Sequence, residues 1–484
     1  MPRRNLIILF VASVLSLVCY QRAARNRFVD TLAEAMNYVR TDYVDEVEPR
    51  VLFEGAMQGM MNQLDMYSGY TPPAEYVRFK ETMDGELTGI GIEIEPDLKT
   101  NEIIVLMPRR GSPAAEAGIK PRDVIVAVGD TKTADVPMDE AIGLIKGTAG
   151  TKVKLTLRRP GEPQPLVVEV PRARIAMESV LGDARREDGT WIYRLVSHPR
   201  IGYIRITNFT ERTAADLKAA LETYRQPGQE IDGLILDVRG DEGGLLTAAE
   251  QTCDLFLDSG LIVSTRGRGG VLREATRATP GTAVDPKLPM VVLVDRESAS
   301  ASEIVAACLQ DHHRAAIVGQ RTWGKGTVQN LLELEGGKSA LRLTIASYWR
   351  PSGKDIHKRR NAKETDDWGV RPDDGLELVL TGEQHAQYVK GRRERDVSSL
   401  AELEAEAKLP RAKPAATKPV EPPPTDDGNE APAPAATPKP PAPIPDPGED
   451  VAPVREPFVD LQLDKAVEYL QRQIAKRSAK PREA

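Results

Sequence analysis

The feature that most constrains this chain is a strand that runs into a helix through a serine-rich turn. Met290 to Val294 is an unbroken apolar run, and beyond it Ile304, Ala307 and Cys308 recur at helical spacing. A serine in the turn between them sits at a helix N-terminus, where free backbone N–H groups and the positive end of the macrodipole favour negative charge. That suits a nucleophile whose reaction generates an oxyanion. Ser298, Ser300 and Ser302 all qualify on position alone. Downstream, RTWGKGTVQ (Arg321 to Gln329) sets Lys325 between two glycines, so that the backbone can bend and pass close to another segment. A serine at a helix start and a lysine in such a loop can act as nucleophile and base, provided desolvation keeps the lysine neutral.

The rest of the chain supplies the frame. Ile201 to Ile206, Gly233 to Asp237 and Met290 to Val294 are short β-rich runs separated by helical stretches such as Ala214 to Tyr224. This alternation predicts an α/β core with at least partly parallel strands. Leu341 to Tyr348 reads as a further strand feeding a charged loop, Arg350 to Asp367. Before this core, Phe28 to Met61 reads as largely helical. Between them lies a unit with a glycine-led strand at Gly89 to Ile94 and a second strand at Ile103 to Met107. It continues with an amphipathic helix at Pro137 to Lys146 and a last strand at Val153 to Leu157. Pro410 to Pro457 is dominated by Pro, Ala, Lys and acidic residues, too poor in apolar groups to fold, and is expected to be an extended tether. Phe458 to Arg477 beyond it is an amphipathic helix with Leu463, Val467, Leu470 and Ile474 in phase.

Charge and composition exclude several classes. A formal net charge of −7 and the lack of a basic run in the middle of the chain argue against a dedicated nucleic-acid binder. There is no HExxH and no CxxC, so neither a metal nor another cofactor is expected. Cys19, Cys253 and Cys308 are scattered, which favours core packing over disulfides. None of the five histidines forms a recognisable triad with a GxSG serine, and His312 and His313 are expected to cap the helix that follows Ser300. Glu303 reads as a first-turn acid that stabilises the helix dipole. Arg3 and Arg4 precede the apolar run Leu6 to Tyr20, which fits a signal peptide or a signal anchor. With no small-x-small site after it, uncleaved anchoring is preferred, and Val18 before Cys19 argues against lipidation.

SASASEI followed by GKGTVQ resembles the C-terminal processing (tail-specific) peptidases, family S41. The resemblance makes Ser300 the nucleophile, Lys325 the general base and Gln329 the residue that orients the lysine. LDVRGDEGG (Leu236 to Gly244) resembles the family's DLRxNxGG, which implies oxyanion donors at the N–H groups of Ala301 and Gly243, with Gly244 left open. Asp241 stands where asparagine is usual, and Val238 where leucine is usual. LDMYSGYTPPAEY (Leu64 to Tyr76) resembles the stretch that closes the family's N-terminal helical region. Glu81 to Val170 resembles a bacterial PDZ domain, which adds a peptide C-terminus as a strand and implies binding by Gly89, Ile90, Gly91, Ile92, Ile142 and Ile145.

The expected fold is α/β: a Clp protease/crotonase-like catalytic core with an inserted PDZ domain and an N-terminal helical region. The expected segments are 1–27 (anchor or signal peptide), 28–80 (helical), 81–171 (PDZ), 172–395 (protease core), 396–457 (linker) and 458–478 (C-terminal helix). The resemblance implies a serine endopeptidase that recognises protein C-termini and cleaves envelope proteins from the periplasmic side of the inner membrane. Its partners would be polypeptide substrates and the membrane, with a second copy or an adaptor protein left open. The alternative from another class is a non-catalytic PDZ scaffold. A crotonase-like acyl-transfer enzyme would have no use for a PDZ groove.

Overall fold

The computed structural model describes residues 27–97, 100–109, 111–186, 188–398, 400–407 and 458–479, with positions 3–5, 7, 10–13 and 16. Most of the expected anchor, including Cys19, and nearly all of the expected tether, 408–457, lie outside the described residues. Among the described residues no helix is long and apolar enough to cross a membrane. The chain divides into two compact units. The first comprises residues 1–79 and 328–346, and the second residues 80–327 and 347–484.

In the first unit, helices Arg27–Asp42 and Pro49–Met61 fill most of the stretch expected to be largely helical, with a break between them. Leu64 to Tyr76 is not wholly loop. Gly69–Thr71 pairs antiparallel with residues 340–342, and Pro73 opens a helix, Pro73–Asp84, because proline at a first helical turn loses no bond the helix would make. Arg50 donates to Glu54 and Glu335 at 2.5 Å and to the Tyr70 hydroxyl at 2.8 Å. Arg50 thereby holds the Glu335 carboxyl down to about 2. Tyr76 is buried and its hydroxyl donates to Glu333 at 2.8 Å.

The second unit begins with the PDZ-like sheet, whose strand order is Ile92–Pro96, Ile103–Pro108, Val124–Val128, Lys152–Arg158, Leu166–Pro171. The strand at 152–158 is therefore not the last, because Leu166–Pro171 pairs with it along six residues. The expected continuous strand at 89–94 is also broken. Glu86–Gly89 pairs instead with Ala173–Ala176, and the chain bends at Gly91, whose φ is +77°. The Gly91 carbonyl accepts from Arg109 N–H at 2.8 Å and from the Ser112 hydroxyl at 3.0 Å. A Cβ on Gly91 would stand 2.3 Å from the Ser112 Cβ, so only glycine fits.

The core follows the expected βαβ pattern. Strands Ile201–Ile206, Gly233–Asp237, Met290–Val294 and Ala316–Gly319 run parallel in that order, with Val180–Leu181 antiparallel at one edge. The first three are buried at every position, as strands covered on both faces must be. Helices Thr213–Glu222, Leu246–Asp254 and Ala301–Asp311 make the crossovers. The C-terminal helix, Leu461–Ala479, packs Ala466, Val467 and Leu470 against Tyr203, Ile235, Val291, Leu293 and Val318, the alternate residues of the sheet. The segment before the tether stays helical further than expected. Leu400–Ala407 is a helix whose Leu403 is buried with Ala184 and Ile192.

Replacing Gly91 by alanine should cost about 2–4 kcal/mol, from the left-handed backbone and the overlap with Ser112. In hydrogen exchange on the full chain, amides of Ile103–Pro108 and Val124–Val128 should lose protection while those of Met290–Val294 keep it. Unchanged protection in the PDZ-like sheet would refute this account of the turn.

Candidate active site

Ser300 lies just past the C-terminal end of a parallel strand, where open α/β sheets place their ligands. The turn that delivers it is built by Asp295. The Asp295 carboxylate accepts from Gly240 N–H at 3.1 Å and from Glu297 and Ser298 N–H at 3.0 Å each. Ser300 itself has φ +54° and ψ −110°, a conformation that costs a non-glycine residue about 1–3 kcal/mol. The three candidate serines now differ. The Ser298 hydroxyl donates to the Val238 carbonyl at 2.8 Å, and the Ser302 hydroxyl to the Asp241 carbonyl at 2.9 Å. Near Ser300, the buried Tyr348 phenol is pushed up to about 12 by its burial, a rise that the Ser300 side chain opposes.

Glu303 joins the serine turn to the lysine loop. It is fully buried, and one carboxylate oxygen accepts from Ser300 N–H at 2.9 Å and from Lys325 N–H at 2.8 Å. Those two bonds hold the two backbone nitrogens within about 6 Å of each other. The other oxygen accepts from the Thr322 hydroxyl at 2.5 Å and from Gly324 N–H at 2.7 Å. Burial nevertheless pushes the carboxyl up to about 7, against the pull of these donors. The flanking glycines permit the close approach anticipated from the sequence. A Cβ on Gly326 would lie 2.2 Å from His357 N, and one on Gly324 would lie 2.7 Å from the Lys358 Cβ. Arg321 fastens the start of the loop by donating to the carbonyls of Glu364, Asp366 and Trp368.

Gly243 packs on the Ser300 turn. A Cβ there would be 2.8 Å from the Ser300 Cβ and 2.9 Å from Ala301 N. Its N–H donates to the Asp241 carboxyl at 2.8 Å, and its carbonyl accepts from Phe209 N–H at 3.0 Å. Asp241 is buried, burial lifts its carboxyl well above the usual range, and its second oxygen has no hydrogen-bond partner. Ala301 is the first residue of its helix, so its N–H has no intrahelical acceptor. Gln329 lies in the first unit, where its amide donates to the Thr344 hydroxyl at 3.3 Å.

The profile of peptidase family S41 matches residues 200–374, and that of a PDZ domain matches residues 104–159. A carboxy-terminal-processing protease of Bartonella bacilliformis is 34% identical over 418 residues, covering 81% of this chain and 90% of the relative. The carboxy-terminal processing protease CtpA of Bacillus subtilis is 35% identical over 351 residues, covering 72% and 69%. Among solved structures, a photosystem II D1 C-terminal processing protease aligns with 29% identity and a TM-score of 0.40, covering 71% of this chain and 85% of that one. The chain belongs to peptidase family S41. It is a serine-type endopeptidase of the carboxy-terminal processing group, built as an α/β core with a PDZ domain.

Within this S41 chain, the PDZ domain presents Ile92–Pro96 as the terminal strand of its sheet, paired on one side with Ile103–Pro108. Of the expected peptide-binding residues, Gly89 lies in the pairing with Ala173, and Gly91 forms the bend. Ile90 and Ile145 are almost wholly buried in the domain core, whereas Ile92 and Ile142 keep part of their surface. Cys253 and Cys308 are buried free thiols, as expected. His312 does occupy the C-cap of the helix after Ser300, but its ring bonds the Leu261 carbonyl at 2.7 Å. Tyr348 was not singled out from the sequence. Glu303 was, as a first-turn acid that stabilises the helix dipole, and not as the link to Lys325.

Glu303→Gln should separate positioning from folding. An amide offers one acceptor oxygen, so two of the four donors lose their partner, at about 1–3 kcal/mol each. We expect kcat to fall about a hundredfold with KM little changed. The folded carboxyl sits above its ordinary value of 4.5, so its contribution to stability is complete below pH 4.5 and is lost as pH rises through about 7. Urea unfolding across that window should show a decline of about 3 kcal/mol in the parent that the variant lacks. A variant with kcat within threefold of the parent would remove Glu303 from the site.

Proposed function

We propose that this S41 peptidase works through a Ser300–Lys325 dyad. Lys325 as the free amine takes the Ser300 proton, Ser300 Oγ attacks the scissile carbonyl, and the proton passes to the departing amine. Water then hydrolyses the acyl-enzyme and restores both groups. The observation that carries this reading is the Glu303 carboxylate, which binds the backbones of Ser300 and Lys325 through one oxygen. The fate of the hydroxyls supports it further, since Ser298 and Ser302 spend theirs on carbonyls of the neighbouring loop. In the mechanism the Ser300 hydroxyl donates to Lys325, and Gln329 orients Lys325.

The oxyanion is assigned to the N–H of Ala301 at the helix start and to one N–H of the Gly243–Gly244 pair. Gly244 is the better second donor. The Gly243 amide is held by Asp241, whereas the Gly243 carbonyl faces Phe209 and turns the N–H of the same peptide unit the opposite way.

Substrates are taken to be polypeptides of the cell envelope, bound by their C-termini along the open edge of Ile92–Pro96, with the N-terminal apolar run as the membrane anchor. The free sheet edge supports recognition by strand addition. The competing scaffold reading would leave four hydrogen bonds to Glu303 and a strained Ser300 without purpose.

Ser300→Ala and Lys325→Ala should each lower kcat on an unstructured peptide with a free C-terminus by at least about a thousandfold. Binding of that peptide, read by fluorescence anisotropy, should stay within about twofold. Retained turnover in either variant would overturn the dyad. Equal turnover of the peptide and its C-terminal amide would overturn tail recognition.

A further inference from the structure

Arg239 lies between the strand Gly233–Asp237 and the glycine turn that packs on Ser300, and its side chain has no exposed surface. A guanidinium without water must find its acceptors inside the fold. Two bonds go to Asp237, which takes Nε at 2.9 Å and Nη2 at 2.7 Å and also accepts the Tyr203 hydroxyl at 2.8 Å, and three go to the far end of the chain. Asp460 accepts from Nη1 at 2.9 Å and from Nη2 at 2.8 Å, and Gln462 Oε1 accepts from Nη1 at 3.1 Å. The Tyr388 ring lies 4.5 Å from the guanidinium carbon. Asp460 is itself held, since it accepts Leu463 N–H at 3.0 Å, and Gln462 donates to the Leu378 carbonyl at 2.8 Å.

We infer that Asp460, assisted by Gln462, is a positioning residue for the oxyanion-side loop 238–244 and acts on it through Arg239. This rests on the reading of Ser300 as the nucleophile, because that loop is the one whose Gly243 packs against Ser300. The segment after the proline-rich stretch is then a working part of the active site. Breaking one side of a buried ion network leaves a charge uncompensated. Here the strained charge would sit one residue before Gly240, whose N–H is bonded to the same Asp295 that shapes the nucleophile turn. The C-terminal helix does not depend on this pair for its seat, because Ala466, Val467 and Leu470 dock it on the sheet. Asp460 can therefore be altered with the helix in place.

The test is Asp460→Asn in the full chain, compared with the parent and with Asp460→Glu. We expect kcat to fall at least about tenfold with KM within about twofold, and Asp460→Glu to recover part of the loss. Hydrogen exchange of the amides of residues 240–243 should quicken at least about tenfold, while that of Ile201–Ile206 does not change. The inference is overturned if exchange at 240–243 is unaltered in Asp460→Asn, a result readable whether or not the parent cleaves peptides. It is also overturned if kcat stays within twofold of an active parent, or if near-UV circular dichroism shows that the loss follows an unfolded fraction. A parent without turnover but with quickened exchange in the variant would sink the peptidase reading and leave the positioning role standing.

Discussion

One buried carboxylate holds the candidate site together. Glu303 takes four donors from two segments that are more than a helix and a strand apart in sequence, and through Ser300 N–H and Lys325 N–H it fixes where a hydroxyl and an amine can begin. A backbone–carboxylate bond specifies position in a way that a side chain–side chain bond does not, because the backbone carries no rotamer freedom of its own. The side chains of Ser300 and Lys325 keep their torsional freedom while their attachment points are fixed. The cost is a carboxyl driven up to about 7, so the site is assembled at the expense of the stability of an ionised group.

The remaining geometry follows from the parallel sheet. Its strands end together, so the turn after Asp237 and the turn after Val294 emerge side by side, and Asp295, Ser298 and Ser302 tie one to the other. The positive φ of Ser300 is the local consequence: the chain must leave a strand and enter a helix within a few residues. The tail recognition proposed for the PDZ domain would use different physics on a different sheet. There the useful feature is an unfilled strand edge, and the glycine bend at Gly91 ends one pairing so that the next can begin.

Local features were legible in the sequence. The three β-rich runs of the core coincide with the observed strands, because strands buried on both faces are unbroken apolar runs and need no periodicity to be seen. Lys325 between two glycines signalled a close approach, which the contacts with His357 and Lys358 bear out. What escaped the sequence was long-range. Tyr348 reaches Ser300 from a strand that gives no sign of its partner, and Asp460 meets Arg239 across more than two hundred residues. The pairing of Gly69–Thr71 with residues 340–342 escaped for the same reason, and with it the grouping of 328–346 with the N-terminal helices. The final strand at Leu166–Pro171 was missed because a Pro-rich turn precedes it and looks like the end of a domain.

Asp241 shows how a change of residue type need not be a change of charge. The family pattern has asparagine there, a neutral group with one acceptor and one donor. An ionised aspartate would put a negative charge beside Gly243, next to the site proposed for the oxyanion. The surroundings oppose that ionisation. The carboxyl is buried, its neighbours include Asp295 and Glu242, and Arg239 two residues earlier is spent on Asp237 and Asp460. Burial holds the carboxyl well above the usual carboxylate range, and its protonated form would accept the Gly243 N–H with one oxygen and carry a proton on the other. It then presents the same acceptor–donor pair as the amide. The equivalence lasts only while the proton stays, so the carboxylic acid, unlike the amide, would tie the polarity of the loop 238–244 to pH.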